Sequence, residues 1–164
     1  MTAIQAGPSV ESRPAAGSWQ AWVSTASRLI LAAVFAWSGL SKMADPDAAV
    51  RAVRAYQLVP EGLVKLFAWG LPFVELAVAV LLLAGLATRV TAVVASGLLL
   101  MFMFSIASAW ARGLQIDCGC FGGGGPASAD AAKYLSELAR DFGLLILAGW
   151  LVWRPASRLA LNTD

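Results

Sequence analysis

Apolar residues run almost without interruption through Val23–Leu40, Leu63–Leu86 and Val90–Trp110, and again through the shorter Phe142–Trp153. A helix needs about 20 residues to cross roughly 30 Å of hydrocarbon, so the first three stretches predict transmembrane helices. The fourth predicts a helix that begins earlier, with Ser128 as N-cap and Asp130 in its first turn. Lys133, Glu137, Arg140 and Asp141 then fall in its outer half. The expected fold is all-α, an integral membrane four-helix transmembrane bundle over residues 19–154. Residues 1–18 read as a flexible tail and 155–164 as a second one. The N-terminal tail has no short apolar region followed by a cleavage site, so it is not expected to be a signal peptide. Trp19, Trp22, Trp110, Trp150 and Trp153 stand near the proposed helix ends, as an interfacial aromatic belt requires.

Composition agrees with the pattern. Of 164 residues, 59% are hydrophobic and 13% charged, with a mean hydropathy of +0.72. Soluble domains carry about a quarter of charged residues. A net charge of +2 gives no reason to expect nucleic acid as a partner. The absence of histidine removes histidine-ligated haem, histidine-containing zinc sites and imidazole proton shuttles.

Within the apolar stretches a few ionisable residues stand out. Glu75 is near the middle of the second span, three residues after Pro72. A carboxylate at that depth costs at least a few kcal/mol unless it is paired or faces a polar cavity, to the order given by insertion scales. Arg28 is the counter-ion favoured by depth, and Lys42, at the other end of the first helix, is the second candidate. Such a pair fits helix registration as well as proton transfer. Gly39 lies three residues from Lys42 on one helical face and suits a close helix approach beside the charge. Pro72 is expected to loosen the backbone ahead of Glu75. Between the first two spans, Ser41–Pro60 predicts an interfacial amphipathic helix begun by Asp45-Pro46.

Asp117-Cys-Gly-Cys-Phe-Gly122 holds both cysteines of the chain. Gly119 lets Cys118 and Cys120 turn toward one another, and a disulfide across one residue is tight and therefore easily reduced. Asp117 and the N-terminus of the following helix act in opposite senses on thiolate formation. The other readings are a static staple, two inert thiols, or a two-thiolate copper(I) site. Zinc is disfavoured because its structural sites use four ligands, and no metal is expected.

With four spans, the termini and the turn at Ala87–Arg89 share one side. That side holds Arg13, Arg28, Arg89, Arg154 and Arg158, against Lys42, Arg51, Arg54, Lys65, Arg112, Lys133 and Arg140 on the other. Raw cation counts favour the long loops inside. The interleaved acids, the helical positions of several loop-side cations and the cysteine pair favour the opposite orientation. Paired cysteines suit the oxidising outer compartment, so the expected arrangement has both termini cytoplasmic.

Residues 23–153 resemble the DoxX-like superfamily of small membrane proteins, and within it the MauE (methylamine utilisation) branch. Arg28-Leu29, Gly39 with Lys42, Pro72 with Glu75, and Gly85-Leu-Ala-Thr-Arg89 carry the general likeness. Cys118-Gly-Cys120-Phe121-Gly122 is similar to the CxCFG loop of MauE-type proteins. The resemblance implies a plasma-membrane helper in thiol–disulfide handling, with Cys118 and Cys120 reactive and Gly119, Phe121 and Gly122 shaping the loop. It implies a secreted or membrane-anchored thioredoxin-like or disulfide-containing partner. The arrangement is also similar to four-helix quinone-linked disulfide enzymes, which have two cysteine pairs. A single pair excludes an internal relay, so electrons pass directly to a quinone or a second protein. The alternative is a non-catalytic scaffold or accessory subunit of a respiratory or redox complex. A sulfur or copper carrier is the third reading.

Overall fold

The computed structural model describes residues 18–117, 125–126 and 131–155. Among them are five helices, α1 (Ser18–Ala44), α2 (Pro46–Ala55), α3 (Glu61–Ala84), α4 (Thr88–Ala111) and α5 (Ala131–Trp153). A minimal antiparallel ladder joins β1 (Ile116–Asp117) to β2 (Gly125–Pro126), pairing Ile116 with Pro126 and Asp117 with Gly125. Ser128 and Asp130, the expected start of the last helix, lie outside the described residues, as do 1–17 and 156–164.

The long helices are associated as two hairpins. α1 packs along α3, α4 packs along α5, and α1 meets α5, whereas the consecutive helices α3 and α4 touch sparsely. The core between them holds Leu31, Phe35, Leu82, Leu99 and Leu151, with Ala32, Ala92, Ala95 and Ala148 fully buried among them. Small residues at these contacts let helix backbones approach closely, which is how helices associate where lipid is as apolar as leucine. Large apolar side chains face outward instead: Leu66, Trp37, Phe104 and Phe73 are all more than half exposed.

Three helices, Trp19–Ala44, Glu61–Ala84 and Thr88–Ala111, are long and apolar enough to cross a membrane by length and composition. α5 carries Lys133, Glu137, Arg140 and Asp141 in its first half. α1 outruns the expected Val23–Leu40 at both ends, because the interfacial residues around Trp19 and Met43 continue the helix. Pro72 leaves α3 unbroken from Glu61 to Ala84, so the loosening expected there does not end or divide the helix.

The connections are specified locally. Asp45 caps α2, accepting a hydrogen bond from the Ala48 N–H at 2.8 Å, with Pro46 at the first helical position. Gly85 ends α3 in the left-handed conformation (φ 67°), and its neighbour Leu86 donates back to the Leu81 carbonyl at 3.1 Å. At the end of the bundle that holds the start of α1 and the end of α5, Ser24 Oγ donates to the Arg154 carbonyl (2.9 Å) and accepts from Trp150 Nε1 (3.1 Å). Trp150 is therefore turned inward, while Trp19, Trp22, Trp110 and Trp153 are at least two-fifths exposed. α2 lies at the opposite end, against α3 and the β1–β2 ladder.

Candidate functional site

A polar layer crosses the bundle near the end of α1. Lys42 Nζ donates to both carboxylate oxygens of Glu75, at 2.8 and 3.0 Å, and to Ser38 Oγ at 2.6 Å. Ser38 in turn donates to Glu75 Oε1 at 3.1 Å. All three ammonium protons of Lys42 thus have acceptors. The Glu75 side chain is fully buried and that of Lys42 is 11% exposed, with the ammonium 5.5 Å from the centre of the Phe102 ring. The site depends on Gly39. A Cβ there would stand 2.8 Å from Leu76 Cγ and 3.1 Å from the Pro72 carbonyl, so glycine is what lets α1 settle onto α3 at this level.

Of the two counter-ions expected for Glu75, the fold supplies Lys42. Arg28 is buried too, but it stands ten residues before Ser38 on the same helix. That is about 15 Å along the axis at 1.5 Å per residue, beyond the reach of an arginine side chain. Arg28 belongs to the far half of α1, where Ser24, Thr25 and Ser27 are buried too.

Sequence reasoning did not assign Ser38, Arg140 or Asp141 to this layer. Arg140 Nε and one terminal nitrogen donate to Asp141 Oδ1 at 2.9 and 2.8 Å, and the Asp141 side chain is 4% exposed. Ser38, Arg140 and Asp141 line one small cavity. A larger cavity, about 110 Å³, lies between α2, α3 and α4, with Lys42, Tyr56, Phe67 and Phe102 in its wall.

Cys118, Gly119, Cys120, Phe121 and Gly122 lie outside the described residues. What is described is the base from which they depart. β1 and β2 pair, so the chain enters residue 118 and leaves residue 124 at neighbouring points. Tyr134 on α5, 4% exposed, fixes the first of these points. Its hydroxyl donates to the Leu114 carbonyl and accepts from the Ile116 N–H at 3.2 Å. Its ring is stacked on Trp110, with centroids 6.3 Å apart. Tyr134 is a further residue that sequence reasoning missed; a lone tyrosine in a charged helical turn gives no signal of such a clamp. Arg112 at the end of α4 donates to the Tyr56 carbonyl at 2.5 Å, tying α4 to the end of α2.

The chain is 39% identical over 106 residues to the methylamine utilization protein MauE of Paracoccus denitrificans, covering 64% of this chain and 57% of that protein. It is 37% identical over 99 residues to MauE of Methylophilus methylotrophus, covering 60% and 52%. With MauE of Methylorubrum extorquens the identity is 35% over 134 residues, covering 80% of this chain and 69% of that protein. The chain thus spans little more than half the length of the first two relatives. No solved structure matches it. The family model described as methylamine utilisation protein MauE matches residues 20–154, which takes in the cysteine segment and all five helices but for the first two residues of α1, and the chain belongs to that family of membrane proteins.

Proposed function

We propose that this chain is a plasma-membrane thiol–disulfide helper in which Cys118 and Cys120 exchange electrons with a secreted or membrane-anchored partner. The observation that carries the reading is the position of the pair: both cysteines fall in the short connection between β1 and β2, whose start is held by Tyr134. A cysteine pair one residue apart closes a tight, reducible ring. Tyr134 holds the chain at Leu114 and Ile116, just before this segment, so that part of the base is ordered before a partner docks. The exchange is balanced within the two proteins. A Cys118 or Cys120 thiolate attacks a partner disulfide sulfur and forms a mixed disulfide, and the other cysteine resolves it. The partner leaves as a dithiol and this chain as a disulfide. The reverse sequence transfers oxidising equivalents outward.

Four crossings are part of the proposal. α5 runs antiparallel to α4, and its end meets the start of α1 through Ser24 and Arg154. That geometry supports α5 as a fourth span whose charged half is turned into the polar layer. The cysteine segment then lies on the outer face and both termini inside. Membership of the wider DoxX-like superfamily, and a role in maturing a disulfide-containing protein of methylamine use, belong to the same reading. The superfamily likeness rests on Arg28-Leu29, Gly39 with Lys42, Pro72 with Glu75 and Gly85–Arg89, and the link to methylamine use on the relatives' names and the CxCFG segment.

Exchange through a thiolate predicts that removing the resolving cysteine traps the mixed disulfide. Cys118→Ser and Cys120→Ser are run on non-reducing gels, and a trapped partner in either variant supports the relay. If neither traps a partner and the double serine variant fully complements a deletion, the pair is a staple and the protein a scaffold. Labelling of reduced intact cells with an impermeant maleimide tests the orientation; labelling only after lysis refutes it.

A further inference from the structure

The carboxylate of Asp141 is only half accounted for by the protein. Arg140 occupies Oδ1 with two hydrogen bonds. Oδ2 is shielded from the surface and accepts no hydrogen bond from the described residues. A buried acceptor in that condition loses the hydration it had in the unfolded chain, at a cost of about 1–3 kcal/mol, more for a charged group. The structure provides a place for the compensation. Asp141 lines a cavity of about 20 Å³ together with Ser38 and Arg140, walled by Phe35, Leu99 and Leu144. A cavity of about 10–15 Å³ or more holds one water if polar partners converge on it. Ser38 Oγ has room for one more donor: it donates to Glu75, accepts from Lys42, and keeps a second lone pair.

We propose that this cavity is a binding site for a single water molecule, and that Asp141, the water, Ser38 and Glu75 form one proton-carrying row across the bundle. The water donates to Asp141 Oδ2 and to Ser38 Oγ. When Asp141 holds a proton, it passes that proton to the water and the water passes one to Ser38 Oγ. Ser38 then releases its own proton to Glu75 Oε1. Asp141 ends as a carboxylate, Glu75 as an acid, and the water and serine are unchanged. No electron moves. Two cations hold the row near neutrality: Lys42 from α1, which contacts Glu75 and acts electrostatically on Asp141, and Arg140 from α5. Glu137, one turn before Asp141 and nearly as buried, is the remaining acid on that face of α5. α4 adds only Leu99 and Phe102 to the cavity wall. The row is independent of whether the cysteines exchange.

Infrared difference spectroscopy of the full chain in lipid nanodiscs, across a pH step, tests the proposal. Carbon-13 labelling of aspartate or glutamate carboxyls assigns the bands without mutation, and Asp141→Asn and Glu75→Gln confirm them. The expected result includes an O–H stretching band that shifts in oxygen-18 water and is lost in both Ser38→Ala and Asp141→Asn. In Ser38→Ala the Asp141 band still responds to the pH step while the Glu75 response lags behind it. Ser38→Thr, which keeps the hydroxyl, restores both features. Absence of any oxygen-18-sensitive band in the wild type overturns the water site. A Glu75 response at the wild-type rate in Ser38→Ala overturns the row. If Asp141→Asn does not fold, the Ser38 pair of variants and the labelled wild type decide the question.

Discussion

Removing Lys42 while leaving Glu75 is the most informative single perturbation of this fold. At a separation of 2.8 Å, and an effective dielectric of about 20, the pair attracts by about 6 kcal/mol. Most of that is offset by the desolvation of two buried charges. The net value of the pair is therefore small, but the value of either partner in the presence of the other is large. Lys42→Met strands a fully buried carboxylate with one hydrogen bond, from Ser38, and should cost about 3–5 kcal/mol. Glu75→Gln leaves an ammonium that keeps Ser38 and the face of Phe102, and should cost less, about 1.5–3 kcal/mol. Lys42→Met combined with Glu75→Leu removes both charges and should return to within about 1 kcal/mol of the wild type. The assay is unfolding in mixed micelles titrated with a denaturing detergent, followed by circular dichroism, for all four proteins. Two results would refute the reasoning: a Lys42→Met cost under about 1 kcal/mol, or a double variant no more stable than Lys42→Met alone.

Gly39→Val places two methyl groups against Leu76 and the Pro72 carbonyl, and should cost about 2–3 kcal/mol in the same assay; Gly39→Ala, which Leu76 can partly accommodate, should cost about 1 kcal/mol. Tyr134→Phe removes the clamp beneath the cysteine segment, so maleimide labelling of the reduced cysteines should accelerate severalfold for a loss of only about 1–2 kcal/mol in global stability. Arg54→Gln breaks the ion pair with Glu61, but both side chains are more than half exposed. Its unfolding midpoint should match the wild type within error, and a clear loss of stability would contradict a surface role.

The spans along α1, α3 and α4 were legible because hydrocarbon imposes one strong rule, a long run of apolar residues. The α2 cap was legible for a similar reason: Asp45 before Pro46 satisfies an orphan N–H in a way few other pairs do. Depth was not legible. Ranking Arg28 above Lys42 assumes that all helices are centred at one level. Gly39 sits opposite Pro72, five residues from the end of α1 and eleven from the start of α3. α3 therefore rises about 9 Å beyond α1 at 1.5 Å per residue. That stagger brings Glu75 level with Ser38 and Lys42. Asp141 was hidden for another reason. Adjacent residues on a helix do not normally face one another, and Arg140 reaches Asp141 only because its long side chain folds back. Read as a sequence, the two look like interfacial charges. The inner face of α5 emerges only when α1 and α4 are packed against it.

The division into two hairpins has a consequence for biosynthesis. A nascent chain leaves the ribosome from its N-terminus, and α1 and α3, which pack closely, emerge before any part of α4 exists. Lys42 and Glu75 belong to this first hairpin alone, so the charges that would each oppose entry into lipid can cancel inside it without waiting for the rest of the protein. The second hairpin brings Arg140 and Asp141, neighbours on one helix, as a self-neutralising pair of its own. Each half thus carries one matched pair of its own, Lys42 with Glu75 and Arg140 with Asp141, and a chain cut at the Gly85–Ala87 turn is expected to reassemble from co-expressed halves.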